Sequence, residues 1–202
     1  LWLDEASLAH YARAIVLWMS ESGIASAHVV GHSLGGKVAM QLALSHASLV
    51  NRLVVADIAP AAYAGQHSEV FDALLQVVEA GWQSRQAADE VLASLIEDPG
   101  VRGYLLMGLE RRAGAYDWRF NVKGLLRGYA RLCAAPAFEH VFTGQTLFLR
   151  GADSNYVRAE HESTMTKWFS ASRLVSLTGA GHWLHTDQPT AFCDQVMRHC
   201  TA

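Results

Sequence analysis

Residues 27–57 are predicted to form a buried strand, a glycine-rich turn, a helix and a second buried strand in direct succession. The apolar segment 27–31 leads into the sequence GHSLG at 31–35, and the helical pattern of 36–46 precedes a second apolar segment at 52–57. A strand–helix–strand unit of this length pairs its strands in parallel through a right-handed crossover. The segment therefore restricts the chain to folds that contain a parallel sheet.

The alternation of strands and helices resumes near the end of the chain, after a long stretch that is predicted to be helical. The pattern of apolar residues predicts an amphipathic helix before the first strand, a run of helices without a convincing strand in the middle, and a final strand–helix–strand–helix series. The predicted helices are 4–21, 67–80, 84–97, 101–112, 121–132, 158–170 and 188–200, and the remaining predicted strands are 146–151 and 173–179. This order predicts an α/β fold with a mostly parallel sheet of about four strands and helices on both faces.

The same pattern predicts three parts along the chain. Residues 1–65 form the first part of the core, 66–140 form a helical insertion, and 141–202 form the second part of the core. A length of 202 residues suits one domain with such an insertion.

Composition excludes several classes of function. The net charge of −3 offers no basic excess for nucleic acid, and no apolar stretch reaches the length that a bilayer span requires. Three cysteines without metal-ligand spacing predict neither a metal site nor a disulfide framework, which favours a cytoplasmic location. The oligomeric state is not predicted.

Ser33 is the candidate nucleophile, because it occupies the centre of a G-x-S-x-G motif between a strand and a helix. A serine in such a sharp turn is exposed above the carboxyl edge of the sheet. We expect side chains at Gly31 and Gly35 to collide with the adjoining backbone, which explains the glycines. The backbone N–H of Leu34, at the start of the helix, is the expected donor to an oxyanion.

A serine hydroxyl needs a base, and His182 is the candidate. It lies in the sequence GAGHWLH, directly after the last predicted strand, and so at the same sheet edge as Ser33. His185 is the competing histidine, and we interpret it as a helix-start or packing residue.

The third group should be a carboxylate that orients the imidazole. Asp57 and Asp153 each follow a predicted strand at the correct edge, and both satisfy the order serine, aspartate, histidine. From the residues alone the two alternatives stay open.

Several motifs together resemble one family. GHSLGG at 31–36, DIAP at 57–60, WRFN at 118–121, the G-x-x-S-x-Y-V pattern at 151–157 and GHWLH at 181–185 are similar to the α/β-hydrolase superfamily. More narrowly they resemble its small bacterial esterase and acyl-thioesterase subgroup. The resemblance implies that Asp57 is the acid and that Ser154 is an auxiliary hydrogen-bond partner. It also implies hydrolysis of a small ester or acyl thioester without a metal or organic cofactor.

The resemblance further implies that the insertion is a cap over the nucleophile. Five residues are expected to contact substrate: His32, Tyr104, Met107, Trp118 and Trp183. Trp183 could instead pack beneath the pocket.

The departure from the family lies before residue 27, where only one helix is predicted. Complete members have further strands there, together with a loop that supplies a second oxyanion donor. We therefore expect those strands and that loop to be missing, the Ser33 strand to lie at an exposed edge, and kcat to fall by about 10²–10³. Alternative hypotheses are a catalytically impaired remnant that acts as a binding module, or another triad reaction such as C–C hydrolysis or perhydrolysis.

Overall fold

The computed structural model describes residues 6–65, 68–80, 84–112 and 114–201. The predicted helix starts at residues 4 and 67, and the predicted boundary at residue 66, lie outside the described residues. The chain divides into two compact units. The sheet unit is Ser7–Tyr63 with Ala134–Ala202, and the insertion unit is Leu1–Ala6 with Ala64–Cys133. Each is described below only over the residues given above.

The predicted helices and strands occur in the predicted order, and two further strands and one short helix lie among them. The helices are α1 Leu8–Glu21, α2 Leu34–Ser45, α3 Ser68–Ala80, α4 Arg85–Ala93, α5 Pro99–Leu106, α6 Val122–Cys133, α7 Glu162–Trp168, α8 Leu184–Asp187 and α9 Pro189–Thr201. The strands are β1 Ala27–His32, β2 Val50–Ala56, β3 Leu109–Arg112, β4 Ala115–Trp118, β5 Gln145–Gly151 and β6 Ser172–Leu177. None of the helices in the described residues is long and apolar enough to cross a membrane.

The sheet unit contains four parallel strands in the order β1-β2-β5-β6, which confirms the predicted α/β class. The pairing of His32 with Ala56 and of Ala56 with Leu149 brings the carboxyl ends of β1, β2 and β5 to one edge. The residues that follow these strands are therefore neighbours, although they are far apart in sequence.

Both faces of this sheet are covered by helices. Successive side chains of a strand point to opposite faces of the sheet. On one face Val55 of β2 packs in a core with Met40 of α2, and on the other face Leu149 of β5 packs in a second core with Leu184 of α8. These apolar side chains are almost completely buried. Burial on both faces explains why β2 and β5 contain the uninterrupted apolar runs 53–56 and 147–149 rather than alternating patterns.

The strand before Ser33 lies at an edge of the sheet. Within the described ranges β1 pairs only with β2, and Val30 on this strand is 47% exposed. The expected edge position of the Ser33 strand is therefore observed.

The insertion unit is built on four helices and a two-stranded antiparallel hairpin. The expectation of helices alone was wrong, because β3 and β4 pair with Leu109 opposite Trp118 and Arg112 opposite Ala115. Leu109–Arg112 reads Leu-Glu-Arg-Arg, whose residues all favour helices, so local propensity concealed a strand that tertiary packing imposes. Gly114 lies in the turn between the two strands with a φ of +92°, and a glycine at this position was the sequence feature that could have indicated a hairpin.

Smaller differences concern element ends. Helix α2 begins at Leu34 rather than at residue 36, and the predicted helix 158–170 is a 3₁₀ turn, Ala159–His161, followed by α7. The short helix α8 was not predicted.

We expect the protein to lose stability below about pH 6.5, partly because of His199. Burial lowers the pKa of His199, which is 4% exposed, lies near Arg173 and Arg52, and bonds through Nε2 to the Gln145 carbonyl at 3.3 Å. A lowered folded-state pKa means that the unfolded chain binds the proton first as the pH falls, so unfolding becomes easier. Urea unfolding between pH 7.5 and 5 should show this decline, and His199→Gln should make it shallower. His10→Gln, on the exposed face of α1, is the control; an unchanged slope in His199→Gln would contradict the prediction.

Candidate active site

Ser33 occupies a strained turn between β1 and α2. Its φ of 53° and ψ of −122° are unfavourable for a residue with a side chain, at a cost of roughly 1–3 kcal/mol. Two backbone hydrogen bonds hold it there: Ser33 N–H donates to the Ala56 carbonyl at 3.0 Å, and Lys37 N–H donates to the Ser33 carbonyl at 3.1 Å. The turn is therefore held by the neighbouring strand and the first turn of α2.

The glycines around Ser33 have different roles from those expected. A Cβ at Gly31 would overlap the backbone of Gly35 and Gly36, as predicted. A Cβ at Gly35 would meet nothing within 4 Å, so the expected collision at Gly35 was wrong. Gly36 is the second restricted position, because its Cβ would lie 2.6 Å from Ile58 Cγ2.

Asp57 follows β2 and is completely buried. It also has a positive φ, 48°. Its carboxylate accepts hydrogen bonds from the Gly151 N–H at 3.0 Å and from the Ser154 hydroxyl. These donors, together with His182, compensate for the removal of a carboxylate from water.

His182 connects Asp57 to Ser33. Its Nδ1 lies 2.8 Å from Asp57 Oδ2, and its Nε2 lies 3.0 Å from Ser33 Oγ. Because a carboxylate can only accept, Nδ1 carries the proton and Nε2 presents a lone pair to the serine hydroxyl. The imidazole is thus oriented to remove a proton from Ser33.

The loop that carries His182 lies close to the end of β5. A Cβ at Gly151 would overlap the carbonyl oxygens of Ala180 and Gly181. Gly179, with φ of +69°, allows the chain to turn directly after β6. Gly151 therefore both donates to Asp57 and permits the approach of this loop, a role that the sequence analysis missed.

The two competing residues are not part of this arrangement. Asp153 is exposed, and its backbone N–H rather than its side chain bonds to this loop, at the Ala180 carbonyl (3.0 Å). His185 lies on α8 with its ring edge-on to His32 at 4.8 Å. The geometry favours Asp57 over Asp153 and His182 over His185.

His32 contacts His182 through both backbone and ring. Its Nε2–H donates to the His182 carbonyl at 2.7 Å, and the two ring centroids are 4.7 Å apart. Burial is the main cause that lowers the pKa of His32, so this ring stays neutral at neutral pH. Trp183 is half-buried, with its ring 6.2 Å from His32.

Leu34 is the first residue of α2 and is partly exposed. Its N–H belongs to the first turn, whose amides have no partner within the helix and carry partial positive charge. The position suits an oxyanion donor.

Three of the residues expected to contact substrate lie in the insertion unit. Tyr104 and Met107 are 54% and 59% exposed. Trp118 is buried, stacks on Phe120, and donates its indole N–H to the Leu74 carbonyl at 3.0 Å. These contacts favour a structural role for Trp118 in the core of its own unit.

A family model described as the alpha/beta hydrolase fold matches residues 3–189. The chain belongs to the α/β-hydrolase fold family. The parallel sheet and the turn at Ser33 are the corresponding structural features.

Several α/β hydrolases resemble the chain in sequence. The sn-1-specific diacylglycerol lipase ABHD11 of Mus musculus is 36% identical over 184 residues, which cover 88% of this chain and 60% of that protein. Esterase YbfF of Escherichia coli K12 is 31% identical over 192 residues, covering 93% and 72%. The ABHD11 protein of Danio rerio is covered over 55% of its length, so the chain spans little more than half of these two ABHD11 proteins.

A solved structure extends the likeness to three dimensions. The marine microorganism esterase superimposes with a TM-score of 0.91 at 27% identity, covering 98% of this chain and 78% of that protein. The chain is thus similar to esterase- and lipase-type α/β hydrolases in both sequence and fold.

We expect Gly31→Ala and Gly35→Ala to differ sharply. The methyl group at Gly31 would overlap the backbone of α2 and should reduce the free energy of unfolding by about 1–3 kcal/mol. The methyl group at Gly35 enters open space and should leave stability unchanged or slightly higher. Urea unfolding of both variants measures the contrast, and equal destabilisation would contradict it.

Proposed function

We propose that the protein is a serine hydrolase that cleaves carboxylic esters or acyl thioesters through Ser33, His182 and Asp57. One observation carries the proposal: His182 lies within hydrogen-bond distance of both Ser33 Oγ and the buried Asp57 carboxylate. This is the arrangement that converts a serine hydroxyl into a nucleophile.

In the proposed reaction His182 Nε2 takes the proton of Ser33 as its Oγ attacks the substrate carbonyl. Asp57 holds Nδ1–H and stabilises the imidazolium that forms. The Leu34 N–H donates to the oxyanion. His182 then protonates the leaving alcohol or thiol, and it later activates the water that releases the carboxylic acid and regenerates Ser33.

The substrate class is proposed on two grounds. The relatives carry the names esterase and diacylglycerol lipase, which makes acyl esters, including glycerolipid esters, the first substrates to test. Acyl thioesters follow from the sequence resemblance and use the same acyl-enzyme chemistry.

A fluorophosphonate probe should label the protein covalently at Ser33. We expect labelling to be lost in Ser33→Ala, because the phosphonyl group bonds to Oγ, and to be retained in Ser45→Ala, a matched serine on the exposed end of α2. Hydrolysis of p-nitrophenyl acetate, a diacylglycerol and an acyl-CoA thioester then distinguishes the leaving groups. A folded wild-type chain that is neither labelled nor active would refute catalysis and favour the binding-module hypothesis.

Asp57→Asn and Asp153→Asn test the identity of the acid. Asparagine at 57 favours the wrong imidazole tautomer, so kcat should fall by about 10⁴ with p-nitrophenyl acetate. Asp153→Asn changes an exposed side chain and should leave kcat within about twofold. The opposite ranking would transfer the acid role to Asp153.

A further inference from the structure

The face of the His182 imidazole is covered by an aromatic ring. The Tyr156 and His182 ring centroids are 4.0 Å apart, and the ring planes are inclined by only 21°. His32 also contacts His182, but at 4.7 Å with a tilt of 41°. The nearly parallel stack on the imidazole is therefore made by Tyr156.

Tyr156 is held in place through its backbone. Its N–H donates to Ser154 Oγ at 3.2 Å, and Ser154 in turn donates to Asp57. Its carbonyl accepts the Tyr63 hydroxyl at 2.7 Å. One end of this residue is thus connected to the carboxylate, and the other end to the segment that follows β2.

Tyr63 is fixed on both sides of its hydroxyl. The Oη accepts the Ala59 N–H at 2.8 Å while it donates to Tyr156, and the Lys37 ammonium lies 5.0 Å from the centre of its ring. Burial raises the pKa of Tyr63 to about 12, so the phenol keeps its proton under working conditions. Tyr63 therefore links the segment that follows β2 to the segment that follows β5.

We propose that Tyr156 and Tyr63 are positioning residues for His182: Tyr156 by stacking on the imidazole, and Tyr63 by fixing Tyr156. The inference rests on the proposed function, because it assigns the two residues to the same triad. The stack restricts rotation of the imidazole, and its π-face stabilises the positive charge that His182 gains as Ser33 attacks. Two other titratable groups also contact His182. The Asp57 carboxylate bonds to Nδ1, and the His32 ring packs against the imidazole.

Three variants separate stacking from packing. Tyr156→Phe keeps the aromatic face, Tyr156→Leu removes it while retaining both backbone hydrogen bonds, and Tyr63→Phe removes only the hydroxyl that bonds to Ala59 and Tyr156. Phe138→Leu is the matched control, because it breaks an aromatic stack with Trp168 (4.7 Å, 12°) that includes no site residue.

With p-nitrophenyl acetate we expect Tyr156→Leu to lower kcat roughly 3- to 30-fold with KM unchanged. Tyr156→Phe should recover most of this loss, and Phe138→Leu should leave kcat near the wild-type value. Tyr63→Phe should lower kcat less, and its effect should be absent when added to Tyr156→Leu. Equal kcat in Tyr156→Leu and Tyr156→Phe would overturn the proposal, as would a change confined to KM.

A second readout does not depend on catalysis. The Nδ1–H proton of His182, hydrogen bonded to Asp57, should give a downfield NMR signal in substrate-free wild type, Tyr156→Phe and Phe138→Leu. It should broaden or exchange faster in Tyr156→Leu and Tyr63→Phe. An unchanged signal in both would refute the positioning role, whereas a changed signal in a protein without esterase activity would refute only the proposed function. If Tyr156→Leu fails to fold, Tyr63→Phe decides both readouts.

Discussion

The buried carboxylate of Asp57 is the group on which the candidate site depends. It accepts hydrogen bonds from Gly151, Ser154 and His182, and these donors come from the end of β5, the loop after it and the loop after β6. A charge without exposure to water requires such partners. The carboxylate at the end of β2 therefore binds two other segments, the end of β5 with its following loop and the loop after β6, and the orientation of the imidazole toward Ser33 follows from that.

Strain is concentrated at the same edge. Ser33 and Asp57, the two described non-glycine residues with positive φ, directly follow His32 and Ala56, which are paired in the sheet. Two adjacent parallel strands thus end in unfavourable backbone conformations side by side. The core beside these turns is closely packed, because a Cβ at Gly36 of α2 would lie 2.6 Å from Ile58 Cγ2, and such packing can sustain a strained backbone.

Much of this arrangement could be predicted from the sequence because its signals are local. The apolar runs around Ser33 and Asp57 predicted parallel strands, and parallel strands bring their carboxyl ends together. The choice between Asp57 and Asp153 could not be made from the residues, since both follow a strand; the burial of Asp57 and its hydrogen bond to His182 distinguish them.

Two of the features that were missed depend on contacts between distant segments, and the third is a local hairpin. No sequence pattern predicts that Tyr156 stacks on His182, and none predicts that Gly151 lies close to Gly181. The hairpin at Leu109 was concealed by residues that favour helices. In each case tertiary packing, rather than local preference, determines the structure.

The order of strands has a consequence for how the protein folds. β2 and β5 are hydrogen bonded in the sheet, yet the Ala64–Cys133 part of the insertion unit lies between them in sequence. Closing so long a loop is entropically costly and slows folding, whereas β1, α2 and β2 are consecutive and can associate early. We therefore expect Ser33 and Asp57 to come together in an early, local step. Gly151 and His182 should join them only when β5 and β6 pair with the rest of the sheet, so we expect the triad to be completed late in folding.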